Sequence, residues 1–159
     1  MSLCIWIKTS ENEDFKGFVK EKTINWENSQ QSLALSQFLQ DQLSEAFDNK
    51  YEPHFKAFYF AEKGYKGLSG YTQAKADWVV VFNTANDQTA AHEFLHAFNL
   101  AHSFANQEAS SNAKFTYTSR KTDNLMDYSH HVPGHENDRC SLWFWQWEQA
   151  NKSIEKEEE

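Results

Sequence analysis

Trp78-Val79-Val80-Val81-Phe82 is a continuous apolar run, β-branched at three of five positions, and it predicts the strongest strand in the chain. His54 to Phe60 alternates and is rich in aromatic residues, which also reads as a strand. Between Ser29 and Asn49 the apolar positions Leu35, Phe38, Leu39, Leu43, Ala46 and Phe47 follow the i, i+3, i+4, i+7 spacing of an amphipathic helix. Cys4 to Ile7 predicts a short strand, and Phe15 to Ile24 a second one. Gly64 to Tyr71 reads as a glycine-rich loop. Asn83 to Asp87 supplies turn residues, with Asn86 or Asp87 as the N-cap of a helix that runs to about Phe98. Residues 103–124 are polar and irregular, and a last helix spans Ser141 to Lys152. Strands and helices in this order predict an α+β domain, with a small twisted mixed β-sheet and a backing helix at about 29–49.

Length and composition narrow the class. The 159 residues fit one domain over 1–154, with an acidic, solvated tail at 155–159. No linker or internal repeat interrupts it. A 40% hydrophobic content, much of it from thirteen Phe, six Trp and six Tyr, argues against global disorder. The formal charge of −8 and the lack of a basic stripe make nucleic acid an unsuitable partner. No apolar run is long enough for a membrane span. Met1 to Lys8 is too short and too soon charged for a signal-peptide core, which leaves secretion or export open. Cys4 and Cys140 are far apart, and spacing alone does not decide whether they pair.

The chemistry concentrates in His92-Glu93-Phe94-Leu95-His96-Ala97-Phe98-Asn99-Leu100-Ala101-His102. His92 and His96 are four residues apart on the predicted helix, one above the other on one face. Two imidazoles so placed hold one metal ion, and imidazole is a preferred ligand of zinc. Glu93 is one step round the helix, where its carboxylate reaches a water at the metal rather than the metal itself. Ala91, Phe94, Leu95 and Phe98 lie on the other faces and are expected to bury against the sheet. His102 follows His96 by six residues, so a continuous helix would carry it away. The chain must turn back sharply, which calls for a positive φ at Asn99, and Asn is the most tolerant residue after Gly.

This HExxHxxNxxH pattern resembles the HExxHxxGxxH signature of the metzincin metallopeptidases, with Asn99 at the glycine position. Asn124-Leu125-Met126-Asp127-Tyr128 looks like the Met-turn of that clan. Leu142-Trp143-Phe144-Trp145-Gln146-Trp147 is similar to the segment after the Met-turn in small bacterial metzincin-like domains, some of them carried by large secreted or toxin-like proteins. The motifs cover roughly residues 78–147. The resemblance implies a metzincin-like α+β fold with a zinc helix at about 87–98, and a zinc-dependent endopeptidase acting on proteins or peptides as a monomer. It implies His92, His96 and His102 as Zn2+ ligands and Glu93 as general base and acid. Met126 would be a packing floor beneath the metal, and Tyr128 would stabilise the oxyanion.

Other residues carry competing readings. His130, His131 and His135 are either further ligands, a second site, a pH-sensitive rim or a polar loop near the cleft. Asp127 is either an alternative third ligand or a brace that bonds the nearby backbone. Cys4 as a thiolate cap on the zinc competes with a buried thiol in an apolar strand. Trp143 and Trp147, at i and i+4, are expected on one helix face against the core, against a ligand groove as the other reading. The stretch from Gly64 into the Trp78 strand is a candidate edge for an extended substrate. Two alternatives to a general peptidase remain: a non-catalytic or latent zinc-binding domain, and a toxin-like effector peptidase with one dedicated target.

Overall fold

The computed structural model describes residues 13–21, 23–24, 29–51, 54–106, 109–135 and 138–155. The expected strand at Cys4–Ile7, the roles weighed for Cys4, and the tail after Glu155 lie outside the described residues. The fold is a small mixed α+β arrangement with two small sheets. Its centre is β5 (Trp78–Val81). β3 (Lys56–Tyr59) pairs with it in parallel and β4 (Gly70–Tyr71) antiparallel, giving the order β3-β5-β4.

Both faces of β5 are covered, which explains its unbroken apolar run. Trp78, Val80 and Phe82 pack with Leu35, Leu39 and Phe38 of α2 (Ser29–Phe47). Val79 and Val81 face the other way, against Ala90, Phe94 and Ala97 of α3 (Asp87–Ala97). The sheet therefore lies between the backing helix and the helix that carries His92, Glu93 and His96. Ala46, expected on the inner stripe of α2, is exposed.

Several expectations need correction. Phe15–Ile24 is not one strand. A helical turn, α1 (Glu13–Lys16), is followed by a hairpin of β1 (Val19–Lys20) and β2 (Thr23–Ile24), with Glu21 at φ 52° in the turn. The loop Gly64–Tyr71 contains a 3-10 turn at Tyr65–Gly67 and then β4. Residues 103–124 include a helical turn, α4 (Ala109–Asn112).

The last helix, α5, spans Phe144–Glu155 and starts three residues later than predicted. One long-range and one local tie hold the preceding residues out of it: Leu125 N–H donates to Ser141 carbonyl at 2.8 Å, and Trp143 N–H donates to Gln146 Oε1, three residues on, at 3.0 Å. This shifts the buried stripe to Trp145, Gln146 and Ala150. Trp147 is 58% exposed rather than packed on the core, and Trp143 lies before the helix against Phe115.

Candidate metal centre

α3 begins with a reciprocal cap. Asn86 N–H donates to Thr89 Oγ1 at 3.1 Å, and the Asn86 side chain receives the backbone N–H of Thr89. At the other end, Asn99 takes φ 62°. Leu100 N–H donates to Leu95 carbonyl at 2.9 Å and Asn99 N–H to His96 carbonyl at 2.8 Å, the bond pair of a Schellman motif. Leu100 also shares a buried cluster with Leu95, the apolar contact that accompanies this motif. α5 finishes the helix end: Gln149 donates to Asn99 carbonyl, and Ser153 Oγ to Phe98 carbonyl at 2.9 Å. The reversal at Asn99 is what returns His102 to the face of His92 and His96.

The three histidines converge. One ligand atom from each lies within 4.8 Å of the other two, and the Nε2 atoms of His96 and His102 are 3.2 Å apart. A tetrahedral ion with zinc–nitrogen bonds of about 2.0–2.1 Å places its ligand nitrogens about 3.3 Å apart. The His96–His102 pair fits that spacing as it stands. The donor set fits as well: three imidazoles suit zinc and its transition-metal neighbours, not calcium or magnesium. Among the described residues this is the one such group. His130, His131 and His135 do not join it. His135 Nδ1 pairs with Asp138 at 2.6 Å on the surface. His130 and His131 lie in a 3-10 turn beside Tyr128. Burial pushes His130 down to about 4, so that ring is neutral at neutral pH.

The rings are oriented from behind. His92 Nδ1 donates to Leu125 carbonyl at 2.7 Å, and His96 Nδ1 to Leu100 carbonyl at 2.8 Å. A carbonyl can only accept, so each Nδ1 carries the proton and each Nε2 keeps its lone pair for a metal. Burial above all, and then neighbouring His96, pushes the His92 pKa well below the ordinary imidazole value. His92 is thus held neutral, the form a ligand requires.

The turn at Asn124–Tyr128 is braced by its own polar side chains. Asn124 Oδ1 accepts Met126 N–H at 2.8 Å, and Asn124 Nδ2 donates to Gln146 Oε1 at 2.7 Å. Asp127 accepts N–H groups from Arg120 (2.7 Å), Lys121 (3.1 Å), Thr122 (2.9 Å) and Tyr128 (2.7 Å), plus the Thr122 hydroxyl (2.7 Å). Burial acts to raise the Asp127 pKa, but these bonds outweigh it and hold the carboxyl below its usual value. Both oxygens are engaged, so the reading of Asp127 as a third ligand is set aside in favour of the brace. Met126 is fully buried with Leu100 and Ala150. The Tyr128 ring centroid lies 5.8 Å from that of His92 and 4.8 Å from that of His102.

Glu93 is 9% exposed and lies against β4. A Cβ built on Gly70 would sit 2.9 Å from Glu93 Cγ and 3.0 Å from Val80 carbonyl, so only glycine allows this approach. Ala91, expected to be buried, is exposed; Ala90 takes the inward position.

The sequence pattern misses three site residues. Gly70 carries a signal, since glycine within a strand marks a close approach. Arg139 carries none: it is 2% exposed, and its Nη1 donates to Asp127 carbonyl at 3.1 Å and Leu125 carbonyl at 3.3 Å, behind His92. Asn106 touches His102 at 2.9 Å from a polar stretch without periodicity. Cys140 is exposed and makes no disulfide with a described residue. No described helix is long and apolar enough to cross a membrane. Comparison with protein-family models, curated proteins and solved structures finds no match to this chain.

Proposed function

We propose that the chain is a zinc-dependent metalloendopeptidase of the metzincin type. The observation that carries this reading is the convergence of His92, His96 and His102 within 4.8 Å, with Glu93 beside His92 on the same helix. The metzincin assignment draws support from the layering of a mixed sheet between two helices and from the buried turn at Asn124–Tyr128.

His92, His96 and His102 would hold a Zn2+ ion through Nε2, and the ion would supply Lewis acidity to a scissile carbonyl and to water. The chain's own groups divide the rest. Glu93 takes a proton from the attacking water as its oxygen bonds to the carbonyl carbon. It then gives that proton to the amine nitrogen as the carbon–nitrogen bond breaks, so one water is consumed and an acid and an amine leave. Tyr128 stands beside His92 and His102, where its hydroxyl donates to the oxygen that gains negative charge. Met126 is a packing floor rather than a ligand. β4, paired with β5 on one side and touching Glu93 through Gly70, is the edge that an extended substrate chain adds to.

Cleavage of a denatured protein mixture, read as new N-termini by mass spectrometry, is expected to stop on treatment with a zinc chelator and to return on adding Zn2+. Cutting that survives complete metal removal would sink the reading. A second expectation concerns Gly70→Ala. The added methyl displaces Glu93, and a shift near 1 Å in a reacting group costs about a hundredfold in rate. We expect kcat/KM to fall on that scale with zinc content unchanged; an unaltered rate would show that Glu93 is not held by this contact.

A further inference from the structure

His102 differs from the other two histidines in what stands behind it. His92 and His96 each present Nδ1 to a carbonyl oxygen. His102 presents Nδ1 to the Asn106 amide nitrogen at 2.9 Å. The amide has little freedom to turn, because Asn106 Oδ1 accepts the Ala109 N–H at 2.7 Å and so caps α4. An amide nitrogen is a donor only, so His102 Nδ1 must accept. The neutral ring then carries its proton on Nε2.

That proton points at an acceptor, since His96 Nε2 is 3.2 Å away and keeps a lone pair. The result is a directed chain of bonds: Asn106 to His102, His102 to His96, and His96 to Leu100 carbonyl. A metal needs the lone pair of His102 Nε2, the position this arrangement protonates. Moving the proton to Nδ1 makes that atom a donor facing a donor. A half-turn of the Asn106 amide repairs this contact by presenting Oδ1, but it sets the NH2 group against Ala109 N–H and breaks the cap. With the two partners on different atoms of the amide, the asparagine in this placement meets only one of the two demands.

We infer that Asn106 is a positioning residue that holds His102 in the tautomer unable to ligate through Nε2, so that metal capture by the third histidine is coupled to release of the N-terminal cap of α4. The inference rests on the reading of the triad as a metal site. Asp at position 106 removes the conflict, because a carboxylate accepts from both His102 Nδ1–H and Ala109 N–H.

The test uses long-range 1H–15N correlation spectra of the 15N-labelled chain stripped of metal. His102 is expected as the Nε2–H tautomer in wild type and as Nδ1–H in Asn106→Asp. A change in charge alone would strengthen metal binding without switching the tautomer. Asn106→Asp is then expected to bind Zn2+ about ten- to a hundredfold more tightly, the range by which partners behind ligands tune affinity. Zn2+ is expected to speed amide exchange at Ala109 in wild type and to leave it unchanged in Asn106→Asp. Nδ1–H on His102 in wild type overturns the inference and leaves the zinc reading intact, as does equal zinc affinity in the two proteins. The expected tautomers with no zinc bound by either protein would overturn the zinc reading, and the coupling with it.

Discussion

Glu93→Gln is expected to lower kcat/KM for peptide cleavage by about a hundred- to ten-thousandfold, the span that a positioned general acid–base contributes. Glutamine keeps the length and shape of the side chain, so the close contact with Gly70 and the packing of α3 on the sheet persist. What it loses is a basic oxygen, and with that the means to take and return a proton. His92, His96 and His102 are untouched, so the zinc content of the variant should equal that of wild type. The checks are steady-state rates on one defined peptide and metal analysis of the same samples. A variant that lost zinc together with activity would assign Glu93 to the metal site rather than to proton transfer.

His102→Ala is expected to affect both metal and rate. The ring contributes one of three converging nitrogens and also fills space, stacked against Phe104 at 4.8 Å and beside Tyr128. Removing a partner behind a ligand costs about ten- to a hundredfold in metal affinity, and removing the ligand itself should cost more. At a free zinc level a hundred times the wild-type dissociation constant, binding stabilises the wild-type fold by about 2.7 kcal/mol. His102→Ala should show little of that gain at the same level, with cleavage lost. Thermal unfolding with and without Zn2+, alongside a competition titration against a coloured chelator, measures both. An unchanged affinity would mean that the chain reversal at Asn99 serves packing rather than ligation.

Where the sequence signals its structure, it does so through features that repeat or that span one helical turn. The central strand is legible because Trp78 to Phe82 is apolar throughout, a pattern that burial between α2 and α3 requires. The pairing of His92 with His96 follows from helical geometry, and the turn at Asn99 from the need to bring His102 back. Two-residue elements are too short to hold a period, so β4 and the hairpin of β1 and β2 merge into loops when read from sequence. The start of α5 depends in part on a contact no local pattern carries, the Leu125–Ser141 bond, and in part on a local one, the Gln146 side chain that accepts Trp143 N–H.

The candidate site divides the same way. Its three candidate ligands and Glu93 sit in one segment and follow a spacing rule. The groups that orient them come from elsewhere in the chain. Leu125 carbonyl lies behind His92, and the buried guanidinium of Arg139 lies behind Leu125. Nothing in the residues around Arg139 announces that role, because its partners are backbone carbonyls that every residue possesses. Asp127 is the exception. A short acidic side chain next to a tight turn tends to bond nearby N–H groups, and it collects four of them here.

The most direct test of the account incubates wild type and Glu93→Gln, both loaded with Zn2+, with a diverse peptide library and reads the products by mass spectrometry. Internal cuts by wild type at a recurring set of sites are expected, and almost none by Glu93→Gln. Equal cutting by both would remove Glu93 from the chemistry. No cutting by either, with zinc bound to both, would contradict the general-peptidase reading.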